Sequence, residues 1–233
     1  MVETRSEFHD QLAELERETL ATGDLAIEAL DQAIEAVVHN DAELAAMVVD
    51  NDDRIDGRYL EVHQGILSLL ARQAPVASDL RLVAALLHVI VHMERIGDLC
   101  VNISKLVPLM GESPPKSYDI ISKIETAGTQ ARDQIKQAQL AFSARNLELA
   151  EDLVKQDDVI DLLNREVFNA ALDIGGSDDA TREWAAHMML IARYIERIGD
   201  HTVDIGEQTA FVISGLFREF TDASRPGGEV RSP

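Results

Sequence analysis

Glu94-Arg95-Ile96-Gly97-Asp98 returns unchanged as Glu196-Arg197-Ile198-Gly199-Asp200, and both copies lie deep inside stretches with helical apolar periodicity. The match extends past the pentapeptide. Downstream, Val101-Asn102-Ile103 answers Val203-Asp204-Ile205 at the same spacing of 102 residues. Upstream, Asp52-Asp53-Arg54-Ile55-Asp56 and Glu61-Val62 answer Asp157-Asp158-Val159-Ile160-Asp161 and Glu166-Val167 at a spacing of 105. Two segments agreeing to within three residues define an internal repeat of about 100 residues, close to a whole small domain and longer than solenoid periods.

Helix formers dominate, and Pro and Gly fall at a few punctuation points. Apolar positions from Leu12 to Val38 predict a first helix ending near His39-Asn40. Asp41 caps a second helix that runs to Arg72, where Ala74-Pro75 stops it, and Ser78 or Asp79 opens a third that reaches Leu109. Gly111-Glu112-Ser113-Pro114-Pro115-Lys116 ends that helix and blocks its resumption, which makes it the clearest boundary in the chain. Further helices are predicted over 118–145, 147–172 and 179–220, the last two joined by Gly175-Gly176-Ser177. The expected fold is all-α: two pseudo-symmetric antiparallel three-helix bundles over 1–111 and 116–221. A turn-rich tail over 222–233 is expected to be disordered.

The 42 acidic and 21 basic side chains give a formal charge of −21, which argues against nucleic acid as a partner because phosphate backbones are held by Lys and Arg. Cys100 is the only cysteine, so no intrachain disulfide can form. The first ten residues carry no charged-then-apolar leader. The longest apolar stretch, 82–93, contains His88 and His92, so no direct membrane insertion is expected and the chain reads as cytoplasmic.

At about 100° per residue, Glu94, Asp98 and Asn102 lie on the side of the third predicted helix that carries Val83, Leu87, Ile90 and Val101. Glu196, Asp200 and Asp204 stand likewise beside Ala185, Met189, Ala192 and Val203. Asp52 and Asp56 line up with Val48, Tyr59 and Ile66, and Asp157 and Asp161 with Leu153, Val154 and Phe168. Each half therefore directs two acid pairs on two helices toward one interior. Ionised carboxylates cannot remain unpaired there, since a buried charge without a partner costs several kcal/mol or neutralises. Two like charges about 4 Å apart also repel by roughly 4 kcal/mol at an effective dielectric of 20. A cation removes both penalties. The candidate metal ligands are Asp52, Asp56, Glu94 and Asp98 in the first half and Asp157, Asp161, Glu196 and Asp200 in the second, with Asn102 and Asp204 as further members. Oxygen donors suit Mg, Ca, Mn or iron, whereas Zn usually recruits His or Cys. Gly97 and Gly199 leave room beside the acids for a neighbouring helix or an ion.

Competing readings are weaker. A lone acid pair one turn apart is an ordinary solvated helix face, but four pairs in matched positions on apolar stripes are not. Arg95 and Arg197, about 100° round from the acids, offer ion pairs in place of a cation. His63 shares the acid face, yet its repeat counterpart is Phe168; His201, about 140° from Glu196, reads as structural or exposed. An EF-hand-like run from Asp50 to Glu61 has Ile55 where the turn glycine is needed. The alternative class is a carboxylate-bridged di-metal helical-bundle enzyme. Its usual Glu-x-x-His signature is missing from all seven histidines, and no phosphate loop or nucleophile constellation is present, so no catalytic residue is assigned. A purely structural bundle without metal is the third reading.

With the repeat, the two Glu-Arg-Ile-Gly-Asp segments and the Asp-Asp-x-Ile-Asp segments in hand, the chain resembles the PhoU family of phosphate-signalling accessory proteins over about residues 5–220. The resemblance implies a PhoU-like pair of three-helix bundles whose Glu/Asp-x-x-x-Asp motifs bind multinuclear metal clusters. By position these are Asp52/Asp56 with Glu94/Asp98 and Asp157/Asp161 with Glu196/Asp200. The expected cofactors are divalent or trivalent ions: iron, Mn, Zn, Mg or Ca. It also implies a non-enzymatic signal-transduction role, negative regulation of the phosphate-starvation response and modulation of the high-affinity phosphate ABC transporter. The implied partners are that transporter's ATPase subunit and a membrane sensor histidine kinase, met from the cytoplasm at the inner face of the membrane, and a homodimer is expected.

Overall fold

Asn40 and Arg145 occupy the same place in the two repeats, and both adopt a left-handed backbone, with φ of 55° and 51°. At each, the next residue's N–H reaches back to the carbonyl five residues earlier: Asp41 to Ala36 at 2.8 Å and Asn146 to Ala141 at 2.9 Å. This closes one helix by satisfying its last carbonyls. The same next residue then caps the following helix: Asp41 Oδ1 accepts from the N–H groups of Glu43 and Leu44, and Asn146 Oδ1 from that of Leu149. The repeat seen in the sequence is thus a repeat of helix-end chemistry.

The computed structural model describes residues 5–111, 117–174 and 178–220. These form α1 (Arg5–His39), α2 (Ala42–Asn51), α3 (Asp53–Arg72), α4 (Ala77–Leu106), α5 (Tyr118–Ala144), α6 (Leu147–Ile174) and α7 (Asp179–Ser214), with a 3-10 turn over Val107–Met110 after α4. Among the described residues there is no strand, and no helix is long and apolar enough to cross a membrane. Most of the predicted junction at 111–116, the Gly175-Gly176-Ser177 connection and the tail at 222–233 lie outside the described residues.

Two predicted helices end or break differently. The second is interrupted at Asp52, whose carbonyl accepts from both Ile55 (2.8 Å) and Asp56 (3.1 Å), tightening one turn between α2 and α3. In the other half α6 runs unbroken through Asp157. There Gln134 on α5 donates its Nε2 to the Leu153 carbonyl at 3.1 Å and lies 3.5 Å from Asp157 Oδ1, tying that turn down. Ala29 holds the equivalent position in α1 and has no amide to offer. The last helix stops at Ser214 rather than near Phe220, because Gly215 takes φ 76° and its N–H bonds the Phe211 carbonyl. The chain then folds back: Phe217 stacks on Phe211 with ring centroids 4.0 Å apart, and the Phe220 N–H donates to Glu207 at 2.6 Å.

α1, α4, α7 and α5 form a central ring in which each packs on the next, α2–α3 lies outside against α1 and α4, and α6 lies outside against α5 and α7. Both halves share one continuous apolar cluster, to which Leu30, Ile90, Met93, Ile135, Ile160 and Ile191 all belong. The halves meet with two-fold logic. A Cβ on Gly23 would stand 2.7 Å from Gln139 Nε2, and one on Gly128 2.6 Å from Ile34 Cγ1. Gly23 and Gly128 are repeat equivalents, as are Ile34 and Gln139, so each glycine receives the same position of the opposite half. Polar ties reinforce this contact: Gln139 Nε2 donates to the Leu20 carbonyl (2.8 Å) and Asp24 (3.0 Å), and Arg145 grips both oxygens of Glu16 at 2.7 and 2.9 Å.

Candidate metal centres

Each outer helix docks its Asp-Asp-x-Ile-Asp segment against the glycine of the facing Glu-Arg-Ile-Gly-Asp segment. In the first half Ile55 and Asp52 cover Gly97, where a Cβ would meet Ile55 Cδ1 at 2.8 Å and Asp52 Oδ1 at 3.4 Å. In the second half Ile160 and Asp157 cover Gly199, where a Cβ would meet Asp157 Oδ1 at 2.2 Å and Ile160 Cδ1 at 3.3 Å. Glycine in a helix costs about 1 kcal/mol relative to alanine. Here it lets a carboxylate approach the neighbouring helix, so the two duplicated motifs are the two sides of one joint.

The predicted acids gather in two grooves. Asp52, Asp56, Glu94 and Asp98 face one another between α3 and α4, and Asp157, Asp161, Glu196 and Asp200 between α6 and α7. The grooves are rims rather than interiors: Asp56, Asp98 and Asp200 are exposed and Asp52, Glu94, Asp157 and Asp161 are half-buried. Only Glu196, 8% exposed, is a buried charged residue among those described. Burial, with Asp56 and Asp98 adding to it, pushes the Asp52 carboxyl up to about 6. Burial, with Asp200 and Asp161 adding, pushes Asp157 and Glu196 each up to about 7. Glu94 and Asp200 shift upward as well, first by burial. Such mutual elevation marks a set of like charges waiting for a counter-charge.

Local cations do not fill that need completely. Arg193, one turn before Glu196, pairs with its Oε1, and Arg165 lies 3.6 Å from Asp161. Arg95 lies near enough to act on Glu94, and it acts on His92 and Asp204 as well. Two buried oxygens in the second groove, Glu196 Oε2 and Gln134 Oε1, have no hydrogen-bond partner among the described residues. Orphaned acceptors beside raised carboxylates are the donor set a hard cation satisfies, so these residues fit one.

Asn102 is exposed one turn beyond Asp98, and His63 packs on Tyr59 with centroids 5.0 Å apart. Asp204 turns toward α4. Its Oδ2 lies 3.4 Å from His92 Nδ1 and 3.7 Å from His201 Nδ1, and the two imidazole nitrogens are 3.3 Å apart. Among the described residues this is the one group in which three such ligand atoms all lie within 4.8 Å of one another. His201, structural or exposed by its angular position in the sequence, is half-buried and joins this group. The available signal was His201-x-x-Asp204, two ligand types one helical turn apart, but their partner His92 is 109 residues away.

These joints make different predictions for alanine. Without cations, Gly97→Ala should destabilise more than Gly199→Ala in urea titrations. The helix gains about 1 kcal/mol at either position. The added methyl at 97 meets a buried isoleucine, an overpacking cost of about 1–3 kcal/mol; at 199 the nearest atom is the oxygen of a half-buried carboxylate that can swing outward. Equal losses would mean the glycines are not the contact points.

A duplicated, all-helical framework with an acid-lined groove in each half defines a class of paired helical-bundle proteins. The PhoU domain model matches residues 20–107 and again 124–209, one match per repeat. The phosphate-specific transport system accessory protein PhoU homolog of Clostridium acetobutylicum is 33% identical over 221 residues, spanning 94% of this chain and 100% of that protein. The crystal structure of PhoU from Pseudomonas aeruginosa superposes with a TM-score of 0.82 at 26% identity, covering 90% of this chain and 100% of that one. A phosphate transport system regulatory protein PhoU from Streptococcus pneumoniae shares the fold, with a TM-score of 0.83 at 23% identity over 91% of this chain and 99% of that one. The chain belongs to the PhoU family.

Proposed function

We propose that this protein is an accessory regulator of a phosphate-specific transport system. It holds the phosphate-starvation response down when phosphate is plentiful and modulates the high-affinity ABC transporter. The observation that carries this reading is the family match over both repeats, together with relatives named for that accessory role. Its contacts are the transporter ATPase subunit and a membrane sensor histidine kinase, met from the cytoplasmic side, and it works as a homodimer without catalysing a reaction.

Asp52, Asp56, Glu94 and Asp98 would hold cations in the first half, and Asp157, Asp161, Glu196 and Asp200 in the second. Bound there, the ions would supply positive charge that lets the acids stay ionised while α3 and α6 stay docked on α4 and α7. Gln134 and the buried Glu196 make the second groove the better prepared of the two.

Deleting the gene should raise starvation-response transcription in cells grown in high phosphate, and restoring the intact gene should return it to the repressed level. Normal repression in the deletion strain, with no second copy present, would overturn the regulatory reading and bring forward a metal-dependent enzyme.

A further inference from the structure

We propose that His92, His201 and Asp204 form a separate binding site for one borderline divalent transition metal, with Zn2+ the best fit, stapling the first repeat to the second. His92 lies on α4 and the other two on α7, so the site sits at the contact between two ring helices, whereas each acid groove lies between a ring helix and an outer helix.

Geometry carries the argument. The separations of 3.3, 3.4 and 3.7 Å between the two Nδ1 atoms and Asp204 Oδ2 place all three on a circle of radius about 2.0 Å. An ion at or just above its centre therefore meets each donor at about 2.0–2.2 Å, the range of Zn–N and Zn–O bonds. Edges of about 3.3–3.5 Å are also what tetrahedral coordination at those bond lengths requires. The donor set, two imidazoles and one carboxylate, suits Zn2+ or Co2+ and differs in kind from the all-oxygen grooves. Nδ1 facing Nδ1 is awkward without an ion, because only a proton lent by one ring can separate the two lone pairs. The side chains of His92 and His201 are 17% and 12% exposed and that of Asp204 is 45%, so the open fourth position faces water on the Asp204 side.

The neighbourhood sets limits. His88 and Arg95 lie near enough to act on His92, and Arg95 on Asp204 as well, so the site carries one fixed positive neighbour that lowers cation affinity without blocking it. Nor does the repeat duplicate the site. His92, His201 and Asp204 correspond to Tyr194, Leu99 and Asn102, so this binding property belongs to the seam and not to either half.

The test is titration of Co2+ alone into the full-length chain after chelator treatment, read by the visible absorption of four-coordinate Co2+, followed by displacement with Zn2+. One equivalent is expected in the unchanged chain and also in the Asp157→Asn, Glu196→Gln double variant, whose second acid groove is disabled. His92→Ala and His201→Gln should each weaken binding by about 100-fold or more, with helical circular dichroism retained. Zn2+ should raise the melting temperature of the unchanged chain by more than that of the His92 variant, which keeps only the acid grooves. Absence of the four-coordinate spectrum, or its survival in both well-folded histidine variants, overturns the proposal. Its loss in the acid-groove variant alone also overturns it, by placing the ion in that groove. Should one histidine variant fail to fold, the other decides.

Discussion

Adding Mn2+ at about 100 times its dissociation constant to the metal-stripped chain should raise its melting temperature by about 10–20 °C at pH 7.5. Binding to the folded state alone contributes about 2.7 kcal/mol per groove at that ratio, about 5.4 kcal/mol for the two. A chain of this size gains about 2–4 °C per kcal/mol. Replacing Asp98 and Asp200 together with Asn should abolish the response, because each groove loses an exposed acid that faces the other three. Mn2+ is the informative ion, since it favours oxygen donors and leaves the histidine seam unused. The same double variant should be more stable than the unchanged chain before any ion is added, because it removes one member of each repelling set. A double variant that still responds to Mn2+ would put the ions elsewhere.

The metal-free chain should also lose stability as the pH rises from about 4.5 to 7.5, opposite to the usual behaviour of salt-bridged acids. Folding raises Asp157 from 3.8 and Glu196 from 4.5 to about 7, and Asp52 from 3.8 to about 6. Glu207, also raised to about 7, adds to them, and together these acids outweigh His92, whose burial lowers it to about 4 and pulls the other way; in that window they leave the folded chain with more protons than the unfolded one, so each rise in pH favours unfolding. This contribution is complete below about pH 4 and lost as pH climbs through about 6 to 7. Full conversion of three such shifts would exceed what an open, wet groove sustains; discounting for screening leaves a loss of about 2–4 kcal/mol. Urea denaturation at pH 5.0, 6.0 and 7.5 measures it. Asp157→Asn with Glu196→Gln should flatten the decline, and Mn2+ should reverse it by holding the carboxylates in their charged form. A stability that climbs steadily to pH 7.5 without metal would show the grooves to be ordinary solvated surface.

Much of this was readable because it is local. The helix end near Asn40, the cap at Asp41 and the break between helices at 145–147 follow from short stretches of chain. The pairing of Asp-Asp-x-Ile-Asp with Glu-Arg-Ile-Gly-Asp was visible as matched spacing, and the glycines at 97 and 199 already pointed to a close approach. The depth of the acids was not. An apolar stripe says which side of a helix faces inward, but only the position of the neighbouring helix decides whether a carboxylate at the stripe's edge is buried, as Glu196 is, or exposed, as Asp98 is.

The sequence by itself determined the helical class, the duplication and the eight acids, because each depends on spacing along one chain and on the fixed rotation of a helix. Tertiary structure alone decided three further things. The break at Asp52 goes with the lack of an amide at Ala29 like that of Gln134, and the stop at Ser214 goes with the reversal at Gly215. The meeting of His92 with His201 and Asp204 depends on the register of α4 against α7, which is set by the packing of buried side chains such as Met93 and Ile195 and leaves no periodic trace in either helix.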